Sequence, residues 1–177
     1  AWQILKDGQL YQSGTDSSIQ WEPDDNGAYE INLTVLDKDG AAGTQSVSLT
    51  VDNVAPVATL SSIPSVLFES HSLQLTGNAT DVSPVDSLTY TWRVLKDGEI
   101  YIADTQLPAD EPFFVTFDDD GSYVIAYEVS DDDGGTHIIT KTVTVLNTMA
   151  VACTHGSTAW LAFSQLSGLN IEDTFRA

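Results

Sequence analysis

The residues able to do chemistry in this chain are overwhelmingly carboxylates, 26 Asp and Glu against 6 Lys and Arg, for a formal net charge of −20. They gather in short runs: Glu22, Asp24 and Asp25; Asp52 beside Asn53; Asp81 and Asp86; Asp131, Asp132 and Asp133. Oxygen-only donors suit a hard cation, above all Ca²⁺, which takes six to eight oxygens at about 2.3–2.6 Å. Other candidates are few. His71, His137 and His155 stand outside any catalytic motif, and Cys153 is the sole cysteine, so no internal disulfide can form. No Gly-x-Ser-x-Gly, His-Glu-x-x-His, phosphate-binding loop or Cys-x-x-Cys occurs. Carboxylate pairs are frequent, but a chain this acidic carries them on solvated surface, and a glycosidase-type pair also needs a cleft. The residues read as those of a protein that is not an enzyme.

The charge balance also excludes partners. Nucleic acid and anionic membrane surfaces would both be repelled. Hydrophobic residues make up 42% of the chain, enough for a packed core and too many for intrinsic disorder. No run approaches the roughly 18 apolar residues of a membrane span, so no membrane insertion is expected. The chain opens Ala1-Trp2 without a basic-then-apolar leader, and that start reads as the middle of a domain.

The elements that position these carboxylates repeat along the chain. Trp2-Gln-Ile-Leu-Lys-Asp-Gly8 returns as Trp92-Arg-Val-Leu-Lys-Asp-Gly98, ninety positions on. Asp25-Asn-Gly27-Ala-Tyr29 returns as Asp119-Asp-Gly121-Ser-Tyr123, and Asp37-Lys-Asp-Gly40 as Asp131-Asp-Asp-Gly134, each ninety-four on. The unit is about 90 residues, the size of a small β-sandwich. Residues 1–55 then hold the later part of a truncated copy, 56–148 a complete copy, and 149–177 a tail or the start of a degenerate third copy. Asn147-Thr-Met-Ala-Val-Ala152 echoes Asn53-Val-Ala-Pro-Val-Ala58 at that last boundary.

Within each copy apolar residues alternate with period two, the pattern of a half-buried strand. Leu88, Tyr90, Trp92 and Val94 share one face, as do Tyr123, Ile125, Tyr127 and Val129, and Tyr29, Ile31, Leu33 and Val35. Val143 and Val145 alternate with threonines, and Val47, Leu49 and Val51 with Ser and Thr. Lys-Asp-Gly at 96–98 and Asp-Gly at 39–40 and 133–134 suit tight hairpins in which glycine takes positive φ. The fold expected is all-β.

Asp-x-Gly-x-Tyr at Asp25–Tyr29 and Asp119–Tyr123 resembles the tyrosine corner of immunoglobulin-type sandwiches, and Trp92, matched by Trp2, stands where such folds place a core tryptophan. Ile31 and Ile125 lie where an inter-sheet disulfide would begin, so packing alone must hold the sheets. Tyr-x-Trp, then Asp-Gly, Gly-x-Tyr and a closing Asp-x-Asp-Gly resemble the polycystic-kidney-disease-type (PKD) domain family, fully over 56–147 and in part over 1–55. Trp92-Arg-Val-Leu-Lys-Asp-Gly98 departs from that family's Trp-Asp-Phe-Gly-Asp-Gly. Val51-Asp-Asn-Val-Ala-Pro56 is similar to a shortened cadherin linker. The resemblance implies immunoglobulin-like antiparallel β-sandwich repeats, one complete and one truncated. It further implies a structural or adhesion module at the cell surface or outside the cell, or else an accessory, carbohydrate-binding domain of a secreted hydrolase.

In such a sandwich the loops holding Asp81 and Asp86 and the turn Asp131–Asp133 lie at the pole where the preceding linker, Asp52 and Asn53, arrives. The loop with Asp24 and Asp25 lies at the far pole of the preceding copy and faces the same gap. The expected metal ligands are therefore Asp24, Asp25, Asp52, Asn53, Asp81, Asp86, Asp131 and Asp133, and the expected cofactor is calcium. The competing reading keeps these aspartates as turn formers, hydrated and bonded to backbone N–H groups. Trp2, Trp92, Tyr29, Tyr123, Gly27 and Gly121 are expected to be structural. Asn32-Leu-Thr34 and Asn78-Ala-Thr80 match the glycosylation sequon, and the first falls mid-strand, where a chance match is expected. Trp2 and Trp21 could stack a sugar, but Trp2 aligns with Trp92, and Trp21 with Phe117, at core positions. Expected partners are neighbouring repeats, a surface protein or glycan, and a second copy of the chain through the truncated repeat, whose sheet edge and core face would be exposed.

Overall fold

The computed structural model describes residues 1–148, and every regular element among them is a strand. The reading of 149–177 lies outside the described residues. Strands β1 (Trp2–Lys6), β2 (Gln9–Gly14), β3 (Gly27–Leu36) and β4 (Ala42–Val51) make one antiparallel sheet in the order β2-β1-β3-β4. Two layers follow. The first is β10 (Glu99–Leu107), β9 (Thr89–Lys96), β12 (Gly121–Ser130), β13 (Thr136–Leu146) and β6 (Val66–Phe68), in that order, with β6 parallel to β13. The second pairs β5 (Val57–Leu60) with β8 (Gly77–Thr80), and β7 (Ser72–Leu75) with β11 (Phe113–Thr116).

The internal repeat is thus a repeat of pairing. Order β2-β1-β3-β4 recurs as β10-β9-β12-β13, with Trp2 opposite Leu33 and Trp92 opposite the equivalent Tyr127. Both Lys-Asp-Gly hairpins carry positive φ at Asp and Gly (49° and 78° at Asp7 and Gly8; 50° and 90° at Asp97 and Gly98). Two such residues in succession make a type I′ turn, whose twist matches that of the flanking strands.

Period-two alternation gives the complete sandwich its core. Trp92, Val94, Tyr123, Ile125, Tyr127, Val129, Val143 and Val145 face Ala58, Leu75, Phe113 and Val115 from the opposite layer. Trp92 stacks on Phe113 with ring centres 5.0 Å apart. The first sheet packs more thinly, with Trp2, Ile4 and Tyr29 buried and Ile19, Trp21, Ile31, Leu49 and Val51 against them. Farther along the same face, Leu33 and Val35 are 44% and 59% exposed, whereas Tyr127 and Val129, ninety-four positions on, are 1% and 0% exposed. Among the described residues, nothing equivalent to β5, β7 and β8 covers that half of the sheet.

Candidate metal centre

The acidic loops are held in place by the devices that end each strand. Tyr29 Oη donates to the Asp25 carbonyl at 2.8 Å, and Tyr123 Oη to the Asp119 carbonyl at 2.9 Å, the tyrosine-corner bond in both copies. The glycine between them lies under the Lys-Asp-Gly hairpin. At Gly121, φ is +145° and an added Cβ would come within 2.8 Å of Asp97 Oδ2 and 2.9 Å of Lys96 Cε. Gly27, at φ +138°, sits the same way under Asp7 and Lys6. The lysines pair with the corner aspartates: Lys6 with Asp25, and Lys96 with Asp119 at 2.6 Å.

At the other end of β12 the turn is built on Asp131, 7% exposed. Its Oδ1 accepts from the backbone N–H of Asp133 at 3.0 Å and of Gly135 at 2.7 Å, and its Oδ2 from Asn53 Nδ2 at 2.8 Å. Gly135 leaves room for the linker, since a Cβ there would lie 2.8 Å from Ala55 Cα. In the loop before β9, Asp81 Oδ1 accepts from Ser83 N at 2.9 Å, and Asp132 Oδ1 accepts from Ser87 N at 2.8 Å. The turn-former reading therefore holds for one oxygen each of Asp81, Asp131 and Asp132.

Carboxylate oxygens nevertheless converge at this junction, some of them already hydrogen-bonded, as both of Asp131 are. One oxygen each of Asp25, Asp86 and Asp133 lie within 4.8 Å of one another, and so do one each of Asp81, Asp86 and Asp131. Two ligands of a single Ca²⁺ at about 2.3–2.6 Å each stand at most roughly 5 Å apart, so both sets match the span a calcium ion needs. Oδ2 of Asp81 and Oδ2 of Asp86 each expose less than 1 Å² and take no hydrogen bond. A buried, unpartnered carboxylate oxygen is costly unless a proton or a cation joins it.

Electrostatics follow this geometry. The hydrogen bond from Lys6 holds the Asp25 carboxyl below the usual carboxylate range, and the bond from Asn53 does the same for Asp131. At Asp86 the Ser83 hydroxyl pulls downward, but burial and the charges of Asp81, Asp25 and Asp133 outweigh it and the carboxyl is raised.

Of the expected ligands, Asp25, Asp81, Asp86, Asp131 and Asp133 come together, and Asn53 stands beside them through Asp131. Asp52 does not join them: it is exposed and belongs to neither cluster, because alternation along the linker turns Asn53 inward and its predecessor outward. Asp24 belongs to neither cluster, and it meets the junction through its carbonyl, which stands 3.0 Å from Ser83 Oγ. Three contributors escaped the sequence reading. Ser83 also donates to Asp86 Oδ1; Lys6 neutralises Asp25; and Asn26, its amide nitrogen turned to the carboxylates, reaches Asp133 Oδ2 at 2.9 Å. Lys6 was legible in the Lys-Asp-Gly repeat, and Ser83 in its place between Asp81 and Asp86.

Trp2 and Trp21 belong to the packed face of the first sheet. Trp2 is 8% exposed, and Trp21 packs on Tyr29 at 4.8 Å as Phe117 packs on Tyr123 at 4.8 Å. Asn32 of the first sequon lies in β3 and accepts a bond from Ser46, and Asn78 of the second lies in β8.

No family model matches the chain, and no curated protein matches it significantly. Among solved structures it is similar to fibronectin(III)-like modules of Clostridium thermocellum CbhA (19% identity, 82% of this chain and 77% of that one, TM-score 0.42). It is also similar to the amphioxus IgVJ-C2 molecule (20% identity, 81% and 87%, TM-score 0.42) and to the tandem Ig repeats of Dlar (16% identity, 84% and 83%, TM-score 0.32). With TM-scores this low, the class rests on the chain's own strand order and tyrosine corners. These define an all-β chain of immunoglobulin-like antiparallel β-sandwich repeats.

Proposed function

We propose that this chain is a non-catalytic structural module of a secreted or cell-surface protein, in which successive sandwiches are held end to end by Ca²⁺ at their junction. The observation that supports this reading is the meeting of Asp25, from the first sheet, with Asp86 and Asp133 of the complete sandwich, around a buried Asp86 oxygen without a partner. Like charges so placed repel, and a divalent cation turns that repulsion into a bridge. Asp25, Asp81, Asp86, Asp131 and Asp133 would hold the cation, with Asn53 supporting Asp131. When bound, it supplies charge neutralisation and rigid oxygen coordination between neighbouring units, as a stiff stalk or adhesive array requires. Extracellular calcium modules typically bind at about 10⁻⁴–10⁻³ M.

Thermal unfolding in CaCl₂, in chelator, and in NaCl of equal ionic strength tests this. At a hundredfold excess over Kd a single site contributes about 2.7 kcal/mol, a rise in melting temperature of roughly 5–10 °C for a chain of this size. Identical melting in calcium and chelator would overturn the proposal.

A further inference from the structure

The second sequon, Asn78-Ala79-Thr80, falls on a strand held from one side. β8 pairs with β5, Asn78 opposite Thr59 and Thr80 opposite Val57, and among the described residues no strand lies along its other edge. Ala58, opposite Ala79, turns its N–H away from β8 to His137 Nδ1, so this is a non-hydrogen-bonded pair and Ala79 N–H points to the open edge. The Asn78 side chain meets it there: Oδ1 accepts from Ala79 N at 2.8 Å, where a further strand would otherwise accept. Ala79 packs toward the core, so the period of two turns Asn78 and Thr80 outward together, and both are exposed.

We infer that Asn78 is an N-glycan acceptor, taking an oligosaccharide from a lipid-linked pyrophosphate donor. This rests on the reading of the chain as a secreted or cell-surface module. In the transfer Asn78 Nδ2 bonds to C1 of the first sugar, and the C1–O bond to the pyrophosphate breaks. The lipid pyrophosphate leaves with that electron pair, and one amide proton passes to solvent. Each part has its place in the fold. With Oδ1 engaged by Ala79, Nδ2 donates no hydrogen bond among the described residues, and Thr80 supplies the hydroxyl the sequon requires. Asn78 borders an open groove of about 460 Å³ that presents Thr59, Ser61, Thr76, Asp110 and Glu111, hydroxyls and carboxylates able to hydrogen-bond sugar hydroxyls. A glycan there also covers the β8 edge against pairing with a foreign strand. The first sequon lacks these features. Asn32 is half-buried in β3, between β1 and β4, and its Oδ1 accepts from Ser46. Presenting Asn32 to a transferase means opening a ten-residue central strand, whereas β8 is four residues long with one partner.

The test incubates the folded full chain, and separate peptides spanning each sequon, with a single-subunit oligosaccharyltransferase and its lipid-pyrophosphate oligosaccharide. Intact-mass and peptide-mapping mass spectrometry locate the product. Both peptides should be modified, whereas the folded chain should take a glycan at Asn78 at least about tenfold faster than at Asn32. Asn78→Gln and Thr80→Val, both at exposed positions, should abolish that product, and Asn32→Gln should leave it unchanged. A folded chain that stays bare at Asn78, or that is modified equally fast at Asn32, overturns the assignment and leaves the calcium junction standing. A glycan at Asn78 on a chain that melts identically in calcium and chelator supports the acceptor site and overturns the calcium junction alone.

Discussion

Asp25 and Asp86, 61 positions apart in the numbering, present carboxylate oxygens to each other within 4.8 Å across the junction of two repeats. Without a cation, Asp86 holds its proton more tightly when folded than when unfolded, because burial and the charges of Asp81, Asp25 and Asp133 outweigh the bond from Ser83. Its contribution to stability is therefore full below the ordinary carboxylate pKa, about 3.9, and is lost as pH rises through its raised folded value. Asp25 and Asp131 have the opposite sign. Their lowered values give stability that is present above the ordinary carboxylate pKa and lost as pH falls through the folded values. Asp86→Asn should accordingly raise the melting temperature in chelator at pH 7, lose that advantage near pH 4, and lower the melting temperature when calcium is present. Calorimetry in the four combinations of pH and chelator reads this crossover. A variant less stable than wild type in chelator at pH 7 would contradict it.

The two tyrosine corners separate a structural role from a junction role. Tyr29→Phe and Tyr123→Phe each remove a hydroxyl bonded to a backbone carbonyl, at a cost of about 1 kcal/mol. Tyr29 bonds the carbonyl of Asp25, a cluster residue, whereas Tyr123 bonds that of Asp119 at the opposite end of β12. Titration with CaCl₂ should therefore show weakened affinity for Tyr29→Phe and unchanged affinity for Tyr123→Phe, although both melt earlier. Equal calcium affinities would detach Asp25 from the site.

Glycine at position 121 answers two demands at once, and its neighbour Gly98 only one. Gly98 has φ +90° and nothing within 4 Å of an added Cβ, so Gly98→Ala carries the left-handed backbone cost alone, about 1–2 kcal/mol. Gly121→Ala adds contacts of 2.8 Å and 2.9 Å with Asp97 and Lys96, and so strains the hairpin that pairs Lys96 with Asp119. Chemical denaturation should rank Gly121→Ala as the more destabilising by at least about 1 kcal/mol. The reverse order would show that the hairpin yields freely.

Much of this organisation is legible in residue order. Period-two alternation gives the strands, Asp-x-Gly-x-Tyr gives the corners, and antiparallel connectivity brings the loops of Asp81, Asp86 and Asp131 to the pole where the linker enters. What residue order does not give depends on single dihedral choices or on facing layers. Asp52 and Asn53 are adjacent and equally able to bind a cation, and only the linker's path turns one in and the other out. Ser83 reaches Asp24 because its loop meets another repeat, a contact that no local pattern encodes. Alternation assigns Val35 to the inner face as firmly as Val129, but whether that face is covered depends on strands far away in the chain.

That last pair yields a test of the uncovered half-sheet. Val35 and Val129 occupy the same repeat position and the same face, one 59% and the other 0% exposed. Truncating a fully buried valine loses about 0.8 kcal/mol per methyl-sized group and leaves a cavity, so Val129→Ala should cost about 2 kcal/mol. Val35→Ala removes atoms already in water and should stay within about 0.5 kcal/mol. Denaturant titration of the two variants compares them directly, and the small effect at Val35 should persist from micromolar to hundreds of micromolar protein if the face stays bare. Growth of the Val35→Ala effect with concentration would mean that a second copy covers Leu33, Val35 and Val47. The face would then be an interface, and the two valines would differ only in which chain buries them.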